Sequence, residues 1–191
     1  MLTNATVNPR QPLYEQWIAH SRGLPNDDAL AQMLATHYSG GGSLPTGLGL
    51  IPADFAALLH RRFPGALLPA TPHPIPLHWD LRLLEEREEL VKLLQLHRAE
   101  QDESEVWIST IIAAGCMSSD HLWQDLGLWS RRELSALMVR NFPALAAKND
   151  RDMKWKKFLY KQLCQQEGVY LCRAPACELC ADYSHCFGPE D

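Results

Sequence analysis

The sequence has no long apolar run, no surplus of positive charge and few residues that favour β-strands. No stretch reaches the roughly 18 consecutive apolar residues that a membrane-spanning helix needs, and the first residues lack the charged-then-apolar order of a secretion signal. We therefore expect a cytoplasmic protein that does not enter a membrane. Its formal charge of -5 would repel polyanions, which disfavours a general nucleic-acid-binding protein.

The motifs of common enzyme classes are missing as well. Gly47-Leu48-Gly49 begins a dinucleotide-like pattern, but it lacks a third glycine and a preceding strand. The sequence contains no phosphate-binding loop, no Ser-His-Asp order and no HExxH pair of a zinc protease. A hydrolase would therefore have no recognisable nucleophile in this chain.

Among the residues that are present, helix formers dominate. Leu, Ala, Gln and Glu are abundant and Val is scarce, which predicts an all-α protein, an irregular multi-helix bundle. Apolar spacing and capping residues predict helices around Leu13–Ile18, after Asn26, at Pro52–Arg62, from Asp80, at Val106–Met117, from Ser130, and from Asn149 or Asp150 to Gly168. The helix at Val106–Met117 is apolar around most of its circumference and should be fully buried.

Two segments should interrupt the helices. Residues 39–50 contain five glycines and residues 63–76 contain five prolines, so both are predicted as loops or an extended linker. Glu85, Glu86, Glu88 and Glu89 make one helix face acidic; we interpret it as a solvated face, with a docking surface for a basic partner as the less favoured alternative. We expect a helical domain at 1–168 and a cysteine-rich tail at 169–191 that packs on it.

Four of the six cysteines lie within fifteen residues of the tail. Their spacing is C-x4-C-x2-C-x5-C, formed by Cys172, Cys177, Cys180 and Cys186. A chain of 191 residues can bury a core without disulfides, and cytoplasmic thiols stay reduced, so clustered cysteines indicate a metal or redox site. Four thiolates so close together repel one another unless cations lie among them. Metal binding and folding of the tail should therefore be coupled, and without metal we expect the tail to be disordered.

The spacing alone leaves the identity of the metal open. Structural zinc sites tend to pair two short ligand hairpins across a longer spacer, whereas iron-sulfur proteins place several cysteines close together. The C-x4-C-x2-C part has the spacing of plant-type ferredoxins, but the nearby fourth cysteine departs from that pattern. The spacing favours an iron-sulfur cluster over zinc, and a disulfide knot is the least favoured interpretation.

Other residues could join this site. Cys164, His185, His121 and Cys116 are possible additional ligands, although buried cysteines are commonly packing residues and His121 suits a helix cap. A row of lysines precedes the cysteines and shares one helix face, so it could steer an oxyanion such as molybdate or simply be solvated; its members are Lys154, Lys157 and Lys161.

The C-terminal third resembles a known family. Between His121 and Glu190 the chain contains HLWQDLGLWSRRELSALM, NFPALAAKND and MKWKKFLYKQLCQQEGVYLCRAPACELCADYSHCFGPE. These segments, above all the four-cysteine spacing and the basic aromatic helix before it, resemble the NifQ family of nitrogen-fixation proteins. The resemblance covers a little over a third of the chain, and we find no such signature in the N-terminal part.

The resemblance implies a molybdenum-iron-sulfur cluster, with molybdate as the metal source. The family's cysteine motif falls on Cys172, Cys177, Cys180 and Cys186. It further implies a carrier, not a turnover enzyme, that supplies molybdenum for the iron-molybdenum cofactor of nitrogenase. The implied partners are the NifEN scaffold and the Fe protein NifH. Two alternatives remain at this point: a zinc-stabilised protein-interaction module, and an iron-sulfur electron carrier or redox sensor.

Overall fold

A computed structural model describes residues 9–70, 81–166, 186, 187 and 190. Regular structure in these residues is entirely helical, which confirms the predicted all-α class. The helices are α1 (Arg10–Ala19), α2 (Asp27–Tyr38), α3 (Pro52–Arg62), α4 (Leu81–Leu96), α5 (Ser104–Cys116), α6 (Leu122–Asp125), α7 (Arg131–Asn141), α8 (Pro143–Ala146) and α9 (Trp155–Gln166), with a 3-10 turn at Thr46–Gly49.

Helix α5 lies at the centre of the described fold. It packs against α3, α4, α6 and the 3-10 turn, and its apolar residues are buried on nearly every side. Ile108, Ile111 and Ile112 have no exposed surface. A helix that is apolar all round has no face to present to water, so the other helices enclose it. The prediction of a fully buried helix is confirmed for the apolar residues from Trp107 to Cys116 but not for Val106, which is 38% exposed.

Local signals set several helix boundaries. Helix α3 spans Pro52–Arg62, the predicted range, with Pro52 in the first turn where a missing N–H costs nothing. The predicted cap at Ser130 is also present, since its side chain accepts a hydrogen bond from the Glu133 backbone N–H at 3.3 Å. The Glu133 carboxylate accepts from the Trp129 N–H, one residue before the cap.

The glycine-rich segment at 39–50 is a loop with a 3-10 turn, one of the two predicted forms, and it is part of the core and not an extended linker. Leu44, Leu48 and Leu50 from this segment are buried. Gly49 adopts a left-handed backbone conformation, and a Cβ atom there would lie 2.6 Å from the Cβ of Ala114 in α5. Glycine permits this close approach of the backbone to the central helix. The composition resembles a linker, but the three leucines anchor the segment.

The basic helix α9 begins later than predicted. It starts at Trp155, so neither Asn149 nor Asp150 caps it. The Asn149 side chain instead closes a turn before the helix, because its Oδ1 accepts from the Met153 N–H and its Nδ2 donates to the Met153 carbonyl. Competition between such local side-chain bonds and the helical ladder favours a turn at this position.

A buried ion-pair network joins α2, α3 and the loop before α5. The Arg62 side chain has no exposed surface, and its Nε donates to Oδ1 of Asp27 at 2.6 Å. Its Nη1 donates to both carboxylate oxygens of Asp102 at 3.0 and 3.1 Å, and its Nη2 donates to the Pro25 carbonyl. The network satisfies a guanidinium that would be costly to bury alone.

Candidate metal centre

One of the four predicted metal ligands, Cys186, belongs to the described residues. Cys172, Cys177, Cys180 and the possible ligand His185 lie outside them. Among the described residues no group of three or more His, Cys, Asp or Glu side chains is arranged to hold a metal ion. Cys186 is therefore the described member of the candidate centre.

Cys186 lies at the N-terminal end of α9. Its backbone carbonyl accepts a hydrogen bond from the Lys154 N–H at 2.8 Å, and the Lys154 carbonyl in turn accepts from the Phe158 N–H in the first turn of the helix. Cys186 is half-buried against the hydrophobic core, and Phe187 is buried in it. These contacts place the backbone of a predicted ligand at the start of α9.

The chain end is fixed at the same corner through Glu190. Its carboxylate is only 3% exposed, and its Oε2 lies 3.5 Å from the Nε of Arg131 at the start of α7. Its Oε1 lies 3.8 Å from the Nδ1 of His121. A carboxylate this deeply buried needs a cationic partner, and Arg131 provides one.

Arg131 connects the chain end to the turn before α9. Its Nη1 donates to Oδ2 of Asp152 at 2.6 Å, and its Nη2 donates to the Asp152 carbonyl at 3.0 Å. The hydrogen bond to Asp152 and the charges of Asp152 and Glu190 raise the pKa of the Arg131 guanidinium above its ordinary value. Arg131 is thus a permanent positive charge shared by two segments that meet beside Cys186.

His121 occupies the N-cap position of the short helix α6, in agreement with the cap interpretation. Its backbone N–H donates to the Gln124 side chain at 3.3 Å. The same residue also faces Glu190, so the histidine contributes to the corner that holds the chain end.

The three lysines of the predicted row differ in exposure. Lys157 and Lys161 are exposed on α9, whereas Lys154 is half-buried and precedes the helix. Spacings of three and four residues place them on one side. Two of the three ammonium groups are therefore accessible to an anion from solvent.

A fourth lysine, Lys156, has a role that the sequence did not indicate. Its Nζ pairs with the buried carboxylate of Asp125 in α6 and donates to the Ser118 carbonyl at 2.7 Å, just after α5 ends. Lysines near helix C-termini satisfy carbonyls that the helix leaves unpaired. In the sequence, nothing distinguishes Lys156 from its lysine neighbours or indicates that its partner is Asp125, 31 residues earlier.

The other two cysteines among the described residues lie in different surroundings. Cys116 ends α5 and is buried, and this burial raises the pKa of its thiol to about 12. A neutral thiol is a poor metal ligand, so the environment of Cys116 favours the packing interpretation. Cys164 is half-buried on α9, on the helix side that also carries Lys156 and Tyr160.

Comparisons with known proteins assign the chain to a family. The sequence profile of the NifQ family matches residues 29–188. The chain belongs to the NifQ family. The family is implicated in nitrogen fixation, and the match extends far N-terminal of the His121–Glu190 region that carried the resemblance.

Individual relatives agree with this assignment. Protein NifQ of Azotobacter vinelandii is 41% identical over 184 residues, which cover 92% of this chain and 93% of the relative. Protein NifQ of Rhodobacter capsulatus is 40% identical, with 84% and 87% covered, and that of Klebsiella pneumoniae is 35% identical, with 86% and 99% covered. No solved structure matches the chain. In the part of the chain that the structure describes, no helix is long and apolar enough to cross a membrane.

Proposed function

We propose that this NifQ-family chain carries molybdenum on an iron-sulfur cluster and supplies it for assembly of the iron-molybdenum cofactor of nitrogenase. The proposal rests on the four-cysteine spacing at the C-terminus, whose last member is anchored at the N-terminal end of α9. Family membership supports the nitrogen-fixation context. The residues that would hold the cluster are Cys172, Cys177, Cys180 and Cys186.

The described surroundings of Cys186 fit such a centre. A thiolate is the soft ligand that iron-sulfur chemistry uses, and the backbone contact with Lys154 fixes Cys186 at the start of α9. The half-buried position excludes part of the solvent while leaving one side accessible. A cluster bound there would carry molybdenum as cargo, so we interpret the protein as a carrier and not as a turnover enzyme.

The lysines are proposed to attract molybdate as the source of molybdenum. Lys157 and Lys161 are exposed, and Lys157 lies in the first turn of α9 close to Lys154. This local positive charge counters the net charge of -5, which would otherwise repel an oxyanion. The proposed recipients are the NifEN scaffold and the Fe protein NifH.

Anaerobic purification followed by measurement of iron, molybdenum and acid-labile sulfide tests the cluster directly. We expect all three in the wild-type protein and a large loss in Cys172→Ala, Cys177→Ala and Cys186→Ala. Cys116→Ala is the matched control, because its buried neutral thiol should not bind metal. Unchanged metal content in the tail variants would reject the assignment. Zinc alone would indicate an interaction module, and iron without molybdenum an electron carrier or redox sensor.

Replacement of the lysine row tests the steering of the oxyanion. The triple variant Lys154→Gln, Lys157→Gln, Lys161→Gln should take up molybdate more slowly, and this difference should shrink at high salt because screening removes it. Lys92→Gln with Lys148→Gln is the control, since both lysines are exposed elsewhere on the protein. Wild-type loading in the triple variant would exclude the steering role.

A further inference from the structure

The two ends of the segment between Gln166 and Cys186 lie at opposite ends of α9. Gln166 is the last residue of that helix, whereas Cys186 is hydrogen-bonded to Lys154 just before its first residue. Twelve residues of helix at 1.5 Å each separate these points by about 18 Å along the axis. The position of Cys186 therefore requires contacts that hold it at the N-terminal end of α9, away from Gln166.

Contacts that do not involve its thiol hold Cys186 there. The Lys154 N–H donates to its backbone carbonyl at 2.8 Å, and the adjacent Phe187 side chain is only 6% exposed. Burial of a phenylalanine side chain stabilises its position by removing apolar surface from water. Neither contact uses the atom that would bind metal.

Glu190 adds an electrostatic anchor four residues further on. Its carboxylate is 3% exposed and pairs with Arg131, which is itself fixed by the side chain and the carbonyl of Asp152. Asp152 lies two residues before Lys154, so Arg131 binds both sides of the corner where Cys186 lies. Without Arg131, burial of the charged Glu190 carboxylate would be costly, and we expect the side chain to move into solvent.

We propose that Arg131 and Glu190 form a clamp that docks Cys186 at the start of α9 before any metal binds. This inference rests on the proposed function in one respect, namely that Cys186 is a metal ligand. Because one ligand is docked in advance, less conformational entropy is lost when the other thiolates gather around the metal. Arg131 and Glu190 are thus positioning residues for metal binding, and the end of the tail stays in place in the metal-free protein.

Alkylation of the metal-free protein tests the clamp. The full chain is stripped of metal with a chelator and reductant without oxygen, and the rate of Cys186 modification by iodoacetamide is followed by peptide mass spectrometry. We expect Glu190→Gln, which keeps the shape and removes the charge, to raise this rate about tenfold. Glu85→Gln makes the same chemical change at an exposed position of α4 and should leave the rate unchanged. Equal rates in Glu190→Gln and wild type would overturn the clamp.

Titration with Co²⁺ separates positioning from general stability. The thiolate-to-cobalt absorption should show about tenfold weaker binding in Glu190→Gln and in Arg131→Gln, and the double variant should lose no more than either single variant. The urea midpoint of Glu190→Gln should fall only slightly below that of wild type, because Phe187 loses part of its burial while the packing of the helices is kept. Additive losses, or unchanged Co²⁺ affinity, would contradict the pairing of the two residues.

The clamp and the proposed function can fail separately. Wild-type protein that contains neither iron nor molybdenum would refute the carrier proposal, while the alkylation difference in metal-free protein would still support the clamp. Equal alkylation rates would refute the clamp whatever the metal content.

Discussion

Arg62 places a positive charge in the interior between α2 and the loop before α5. The Asp27 carboxylate, 3% exposed, accepts from it and also from the Ser21 hydroxyl and the Leu24 N–H. None of these bonds involves Arg131, Glu190 or Cys186. Their role is to fix the ends of helices relative to one another.

Replacement of Arg62 should therefore destabilise the fold strongly. Arg62→Met keeps much of the apolar stem and leaves Asp27 buried without its cationic partner, which costs about 3–5 kcal/mol in the free energy of unfolding. Urea denaturation measures this value. The neighbouring Arg61 forms an exposed pair with Glu103, and Arg61→Met should change the free energy by less than about 1 kcal/mol. Similar losses in the two variants would contradict the role of Arg62.

The burial of Cys116 should make its thiol react slowly with alkylating reagents. Its pKa is raised to about 12 by burial, so at pH 8 almost none of it is thiolate. Relative to an ordinary thiol with a pKa near 8.5, alkylation at pH 8 should be slower on the order of 1,000-fold in the folded protein. Mass spectrometry of iodoacetamide-treated protein, native and in urea, measures the ratio. Comparable rates in both states would show that Cys116 is accessible.

At the scale of elements, the contact between α2 and the end of α6 requires a glycine. Gly127 adopts a φ of +77°, its carbonyl accepts from the Thr36 hydroxyl at 2.6 Å, and a Cβ atom there would lie 2.8 Å from the Cβ of Thr36. The backbone of one element thus touches a side chain of another with no room between them. Glycine is the residue that satisfies both the left-handed conformation and the contact.

Alanine substitution separates these two requirements. Gly40→Ala places a side chain at a φ of +82° with nothing within 4 Å, so it should cost only the backbone strain of about 1–2 kcal/mol. Gly127→Ala adds the clash with Thr36 and should be clearly more destabilising in urea denaturation. Equal costs would mean that α2 and α6 can move apart freely.

At the scale of the whole molecule, we expect the helical core to fold without metal. Its buried residues, from Trp17 in α1 to Leu163 in α9, form one apolar cluster with Phe187 of the tail, and the described candidate ligand Cys186 lies at its edge. Removal of apolar surface from water is the main driving force of folding, and nearly all of this cluster comes from residues before the tail. The metal and the core should therefore be energetically separable.

Metal removal should leave the core folded. After anaerobic chelation we expect the far-UV circular dichroism and the urea midpoint to change little, while hydrogen exchange increases between Gln166 and Cys186. Because of the proposed clamp, the amides of Cys186 and Phe187 should stay protected. Loss of most helical signal on chelation would show that metal and core fold together, as in a zinc finger.

The sequence by itself determined the features that depend on neighbours in the chain. The range of α3, the cap at Ser130 and the burial of α5 follow from spacing and capping over a few residues. The four-cysteine motif is equally local, which is why the residues alone indicated the candidate site and the NifQ family. The wider N-terminal match, from residue 29, carried no pattern recognisable in a single sequence.

The tertiary structure alone decided which distant groups meet. Arg62 finds Asp27 and Asp102, Lys156 finds Asp125, and Arg131 finds Glu190, all across long stretches of chain. The glycine-rich segment at 39–50 became core because α5 offered a surface for its leucines. Such pairings depend on how helices pack, and buried charge makes each one strongly selective. A charged residue in a sequence shows its sign, whereas its partner is set only when the helices come together.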